Sequence, residues 1–263
     1  MMRSSKSALC GTALVTVMGS NALAQVTIAP GSAPKVDSET ISGLGARNIG
    51  SAAMSGRIAA IAAVHEGNRL TVYLGSASGG VWKSENGGTT YKPVFDKEPV
   101  QSIGAVAIDP TNPKVIWVGS GEAWTRNSVS IGDGIYKSVD GGDNWTNMGL
   151  SESERIAKIL IDPSDPNTVY ACVPGKLWSD SEDRGVYKTT NGGQSWTRIL
   201  KGPNASTGCS MISMAAKSPK TLFAGMWDFR RKGWTFRSGG DGETAPSGSG
   251  LGHLGRCTHM PRR

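Results

Sequence analysis

A block of about 50 residues recurs along this chain, and that period constrains the fold more than any single motif. Three segments superpose. They are Gly80-Val-Trp-Lys-Ser-Glu-Asn-Gly-Gly-Thr-Thr-Tyr91, Gly134-Ile-Tyr-Lys-Ser-Val-Asp-Gly-Gly-Asp-Asn-Trp145 and Gly185-Val-Tyr-Lys-Thr-Thr-Asn-Gly-Gly-Gln-Ser-Trp196, with starts 54 and 51 residues apart. A second element keeps the same step. Ile108-Asp-Pro-Thr-Asn-Pro113 leads into Val115–Gly119, Ile161-Asp-Pro-Ser-Asp-Pro166 into Thr168–Ala171, and Ser218-Pro219 into Thr221–Gly225. Pro113, Pro166 and Pro219 are each 53 residues apart. Short strand-like runs precede these turns at Ile103–Ile108, Ile156–Ile161 and Met211–Ala215, and Arg57–Val64 fills that place ahead of Thr71–Gly75.

Each unit therefore reads strand, turn, strand, loop, strand, Asx-Gly-Gly turn, strand. The runs are β-branched and aromatic, and Pro, Asn, Asp and Gly punctuate them. One four-stranded unit cannot bury both of its faces, so the unit repeats and stacks. The expected fold is all-β, a β-propeller of four-stranded antiparallel blades. A β-sandwich is the alternative, but it does not account for the common period. Composition agrees: 36 of 263 residues are Gly, about twice the usual roughly 7%. That excludes a helical bundle. No apolar run reaches the roughly 18 residues of a membrane-spanning helix.

The Gly-Gly turn has its own chemistry. In Ser138-x-Asp140-x-Gly142-x-x-Trp145 the carboxylate can accept backbone N–H groups of a tight turn, Gly supplies unusual backbone angles, and Ser adds a local hydrogen bond. Trp145 is expected to return on the next strand and pack over the hairpin. Asn86 and Asn191 can cap through an amide oxygen. The pattern resembles the Asp-box, or BNR repeat, of a propeller group. It matches fully at Ser138–Trp145, and with substitutions at Thr189–Trp196 and Ser84–Tyr91. That group includes sialidases, xyloglucan-active glycoside hydrolases, the sortilin-type receptor ectodomain and photosystem II assembly factors. The spacing and the Asp-Pro-x-x-Pro element look most like its secreted bacterial hydrolase-like and sortilin-like members. The resemblance implies that the box is scaffold, away from the ligand face, so Asp140, Asn86 and Asn191 are not candidate catalytic residues.

The blades are expected over residues 45–250. A fourth box should follow Ser249-Gly250-Leu251, but residues 251–263 break the pattern and read as an aberrant tail. The expectation is a frameshift or truncation that leaves about three and a half blades, an incomplete ring with an exposed sheet edge open to association. At the other end, Met1–Lys6 is positive, Ala8–Met18 is apolar and Ala22-Leu23-Ala24 offers small residues to a peptidase. Residues 1–24 read as a signal peptide and 25–44 as an N-terminal extension, so export to the periplasm or outside is expected. Cys10 leaves with the signal. Cys172, Cys209 and Cys257 remain, an odd number. A Cys172–Cys209 bridge is one pairing open to them in an oxidising compartment, and spacing does not choose among pairings.

The net charge of +7 comes from the two ends. Without Arg3, Lys6, Arg256, Arg262 and Arg263 the balance is 23 basic against 21 acidic residues. Arg230-Arg231-Lys232 is the one basic cluster and reads as a solvated loop, so no nucleic-acid partner is expected. No Cys/His spacing, phosphate loop or nucleophile elbow is present, and no metal or cofactor is expected.

Function is sought in the loops between second and third strands, Ser120–Asp133, Pro174–Arg184 and Met226–Ser249. The first holds Glu122, Trp124, Arg126, Asn127 and Asp133, and the last holds Trp227, Asp228, Arg230, Arg231 and Trp234. Aromatic rings beside carboxylates and Arg suit a sugar or peptide ligand. Trp124, Arg126, Asn127, Trp227, Asp228 and Arg230 are the candidate ligand-binding residues. The first functional expectation is a binding or scaffold module for glycan or peptide. The alternative is a glycoside hydrolase using paired carboxylates, for which Glu122 and Asp133 are the candidates.

Overall fold

The computed structural model describes residues 57–215 and 218–238, and the backbone of 254–257. The expected signal peptide, the extension, and the Ser249-Gly250-Leu251 strand start lie outside the described residues.

The structure is all-β and builds four antiparallel sheets of four strands, a partial propeller. The first sheet holds β1 (Ile58–Glu66), β2 (Arg69–Ser76), β3 (Val81–Ser84) and β4 (Lys92–Pro93). The second holds β5 (Ile103–Asp109), β6 (Asn112–Ser120), β7 (Ile135–Ser138) and β8 (Thr146–Asn147). The third holds β9 (Lys158–Asp162), β10 (Asp165–Val173), β11 (Gly185–Thr189) and β12 (Thr197–Leu200). The fourth holds β13 (Thr207–Ala215), β14 (Ser218–Arg231), β15 (Phe236–Ser238) and β16 (Leu254–Cys257). In the first three sheets the spatial order is the chain order. Neighbouring sheets meet through their first strands, β1 with β5, β5 with β9 and β9 with β13.

The fourth sheet departs from the expected loop over Met226–Ser249. β14 continues through Trp227, Asp228, Arg230 and Arg231, and its far end pairs with β15, Arg230 opposite Arg237. These residues stand on a strand because the order Trp-Asp-Phe-Arg alternates apolar and polar positions. β16 pairs with β14 in the third-strand place, Leu222 opposite Cys257.

Apolar clusters fill the spaces between sheets. Tyr73, Phe95, Ile103 and Tyr136 pack between the first and second sheets. Trp117, Ile156, Ile159 and Val169 do so between the second and third. Between the third and fourth, Cys172 on β10 is disulfide-bonded to Cys209 on β13. Backbones also meet closely between the second and third sheets. A Cβ on Gly104 would lie 2.4 Å from the carbonyl oxygens of both Gly121 and Ile156, so only glycine lets these sheets approach. Ile58 and Ile61 on β1, and Met211 and Phe223 on β13 and β14, remain exposed at the two ends of the series.

The three Gly-Gly turns form as their residues dictate. Ser138 Oγ donates to Asp140 Oδ1 at 2.7 Å and accepts from Gly142 N at 2.8 Å. Asp140 Oδ1 accepts from the backbone of Asp143 and Asn144, each at 3.0 Å. Ser84 with Asn86, and Thr189 with Asn191, repeat the arrangement through an amide oxygen. Trp145 lies over Gly142 of its own hairpin as expected, and the indoles also reach beyond it. Trp145 Nε1 donates to the carbonyl of Val94 at 2.7 Å, and Trp196 Nε1 to that of Met148 at 2.8 Å. Each indole is a wedge into the preceding sheet, against Phe95 and Trp117 respectively. A buried indole N–H needs an acceptor, and the preceding sheet supplies it.

Candidate functional site

Antiparallel order puts the connections between second and third strands at one end of the sheets, together with the links from one sheet to the next. The Gly-Gly turns stand at the opposite end. Hydrogen bonds knit the first set of connections together. Gly121 N donates to Ser102 O, Gly132 N to Glu154 O, Ser181 N to Ala205 O and Arg231 N to Leu177 O.

The two carboxylates expected to form a catalytic pair are both engaged. Glu122 is 1% exposed, and its oxygens accept from Arg57 Nε at 2.9 Å and Nη2 at 2.6 Å. That fork holds the Arg57 guanidinium above its usual pKa, because the hydrogen bonds to Glu122 favour its charged form. Asp133 accepts from Tyr136 Oη at 2.7 Å and from Ser120 Oγ at 3.3 Å. Burial raises the Tyr136 phenol well beyond the tyrosine range, and the Asp133 hydrogen bond adds to the rise. Glu122 thus links the first two sheets, and Asp133 anchors the start of β7.

Glu98 is a carboxyl that sequence reasoning passed over. Burial, and then the charge of Asp133, raise its pKa above the ordinary range. It lines a cleft of about 330 Å³ between the first two sheets, with Lys92, Asp96, Asp143 and Trp145. Only the folded chain brings residues 98 and 133 within electrostatic reach, so no local pattern marks Glu98.

The candidate ligand residues divide into two groups. Asp228 is buried and held by Arg237 at 3.1 Å and Asn204 at 3.3 Å. Trp227 Nε1 donates to Ser238 Oγ at 2.8 Å, and its ring packs on Phe229 and Phe236. Arg230 pairs with Asp180. Trp227 and Asp228 brace the β14–β15 hairpin, and Arg230 ties it to the third sheet's loop. Trp124, by contrast, is 66% exposed, and Arg126 and Asn127 are exposed beside it. Asn127 Oδ1 accepts from Arg231 Nε, and the carbonyl of Thr125 accepts from Arg231 Nη1 at 3.2 Å. Arg231 therefore ties the second sheet's loop to the fourth sheet, while its backbone ties that strand to the third sheet's loop. Around it stand three exposed indoles from three loops: Trp124, Trp178 at 47% and Trp234 at 84%. Trp178 was not among the expected ligand residues. Its loop position and adjacent polar residues were the available signal.

Two guanidinium groups lie buried beneath this face. Arg184 donates to the carbonyls of Pro174, Lys176 and Ser179 and stacks 4.5 Å over Phe229. Burial, then the charge of Arg155, lower it to about 10, so it stays cationic at neutral pH. Arg155 touches Glu154 at 3.3 Å, and its Nε and Nη1 have no hydrogen-bond partner among the described residues. Among the described residues no group of three or more His, Cys, Asp or Glu is arranged to hold a metal ion, and no helix is long and apolar enough to cross a membrane.

The family model described as Sortilin-Vps10 (Sortilin, neurotensin receptor 3) matches residues 79–228, more than half of the chain. Among curated relatives, the chain is similar to the "Probable oligoxyloglucan-reducing end-specific xyloglucanase" of Neosartorya fischeri. The match is 29% identical over 141 residues, 48% of this chain and 15% of that protein. A xyloglucanase of a Paenibacillus species is 21% identical over 229 residues, 72% of this chain and 21% of that protein. Among solved structures, an ancestral GH74 enzyme superposes with a TM-score of 0.51 at 26% identity, over 66% of this chain and 22% of the other. The chain thus spans only 15% to 22% of the length of these relatives.

Proposed function

The chain belongs to the Sortilin-Vps10 family, and from that premise we propose that it is an exported glycan-binding propeller segment of the glycoside-hydrolase type. One observation carries the reading: Trp124, Trp178 and Trp234 project from three loops that Arg231 holds together on one face. An indole covers the apolar face of a pyranose ring, and polar groups beside it fix the hydroxyls. The names of the relatives, two of them xyloglucanases, support a carbohydrate ligand over a peptide. The Cys172–Cys209 disulfide supports export, since such bonds persist in oxidising compartments.

Hydrolysis is the second reading. Its support is Glu98, whose proton is held to higher pH beside the charge of Asp133. A carboxyl whose pKa is raised beside a second carboxyl is the kind of group that glycosidic cleavage uses as its acid.

One set of titrations tests both readings. Oligosaccharides of plant cell-wall polysaccharides, neutral and acidic, are titrated into the purified chain by calorimetry. Saturable binding that weakens about tenfold in Trp124→Ala, and again in Trp234→Ala, is expected from the loss of about 1.4 kcal/mol of stacking each. Absence of any saturable binding, or binding indifferent to both substitutions, would overturn the glycan reading. Reducing ends released by the same samples, and lost in Glu98→Gln, would favour hydrolysis. Release unchanged by Glu98→Gln would remove Glu98 from the chemistry.

A further inference from the structure

We infer that the glycan this face takes is an acidic one, carrying carboxylate groups as a uronide does, and the inference rests on the glycan-binding reading above. The excess positive charge of the sequence lies at its two ends and leaves the body close to neutral. Folding redistributes what remains. Arg231 is the hub: it bonds the loop on either side of Arg126, and its backbone N–H donates to Leu177, the residue after Lys176. Lys232 follows it directly, at the tip of the hairpin that Lys232 N closes on Thr235 O. Arg126, Lys176 and Lys232 are thus next in sequence to Arg231 or to the residues it bonds, which makes four cations from three sheets. Among the described residues none of the four lies within ion-pair distance of a carboxylate. Arg231 spends its hydrogen bonds on neutral acceptors, and its charge stacks 5.4 Å from the ring of Phe236.

Four carboxylates of the same end are already ion-paired, while Asp183 bonds Ser181. Glu122 is held by Arg57, Asp180 by Arg230, Asp228 by Arg237 and Glu154 by Arg155. Beneath the surface Arg184 bonds backbone carbonyls, stacks on Phe229 and forms no ion pair among the described residues. A neutral polysaccharide would gain nothing from this surplus. A uronide would, because each carboxylate matches the planar fork of a guanidinium while its sugar ring rests on an indole. The indoles and the cations interleave: Trp124 stands two residues from Arg126, Trp178 two from Lys176, and Trp234 two from Lys232. That spacing offers stacking and charge together at each loop.

The test uses the whole chain and four probes: a hexagalacturonate, the same hexamer with its carboxyls reduced, a xyloglucan oligosaccharide and an eight-residue oligothymidylate. The hexagalacturonate is expected to bind at least tenfold more tightly than its reduced counterpart at low salt, and to weaken as salt is raised. The side chains of Arg126 and Lys232 are exposed and make no hydrogen bond or ion pair among the described residues, and the Lys232 backbone bond survives substitution, so Arg126→Gln with Lys232→Gln should fold normally. The double variant should lose about tenfold in affinity for the hexagalacturonate and leave binding of the reduced hexamer unchanged. Equal affinity for the reduced hexamer, tighter binding of the xyloglucan oligosaccharide, or equal binding of the oligothymidylate would each overturn the inference. Neutral-glycan binding that depends on Trp124 and is at least as tight as that of the hexagalacturonate would do so while leaving the glycan reading intact. Failure of every glycan would overturn both.

Discussion

Asp140 is the one carboxylate at the capping position of three turns built to a single plan; Asn86 and Asn191 do the same work with an amide. The comparison isolates what a charge adds. The backbone N–H of Asn144, then the side chain of Asn144 at 2.8 Å, hold the Asp140 carboxyl far below its usual range. A depressed pKa contributes stability that is complete above the ordinary carboxylate range and is lost as pH falls toward the folded-state value. Asp140→Asn keeps the oxygen that accepts the backbone but removes the acceptor for Asn144 Nδ2. It should cost about 1 kcal/mol at pH 7, the difference between a charged and a neutral hydrogen-bond acceptor. In denaturant titrations the gap between wild type and variant should be flat from pH 8 to about 5 and narrow below about 4. A gap that ignores pH would mean that the charge does not hold the turn.

At the scale of the strand and turn, the contact that matters is made outside the hairpin that owns the residue. Trp145 and Trp196 each give their N–H to the preceding sheet. Trp145→Phe would leave the Val94 carbonyl without its donor, and Trp196→Phe would do so for Met148. Each should cost about 1–2 kcal/mol. Because the two wedges serve different interfaces, the double variant should show the sum within about 0.5 kcal/mol. Tyr91 holds this place in the first sheet and is exposed, so Tyr91→Phe should cost little. Thermal and chemical unfolding measure all four. Strong coupling between the two Trp variants would mean that the sheets do not act pairwise. The same split explains what could be read in advance. Strand order and turn chemistry were legible because alternation and Asx-Gly-Gly are local. The fork of Arg57 on Glu122 joins residues 65 apart, and that of Arg231 on Asn127 joins residues 104 apart. No local pattern carries such pairings. β14 was legible in principle, but its Trp and Arg content suggested a ligand loop and masked the alternation.

For the described sheets taken together, stability is close to a sum of units and of the interfaces between neighbours. The fourth unit is the exception. Its third strand, β16, lacks the Gly-hydrophobe-aromatic-Lys sequence of β3, β7 and β11. No Gly-Gly turn from it wedges onto the third sheet among the described residues. The Cys172–Cys209 bond does part of that work by crossing the interface with a covalent link. Closing a loop between residues 37 apart restricts the unfolded chain by about 4 kcal/mol. Reduction, or Cys172→Ser with Cys209→Ser, should release that stabilisation unevenly. Amide exchange should accelerate over β13 and β14 while β5, β6 and β7, packed on both sides, keep their protection. Arg231 and Trp234 belong to the loosened sheet, so the same reduction should weaken glycan binding before the molecule as a whole unfolds. Exchange that rises equally in all four sheets would show instead that they open as one unit. The loop ties made by Arg231 would then couple the sheets more strongly than neighbour packing alone.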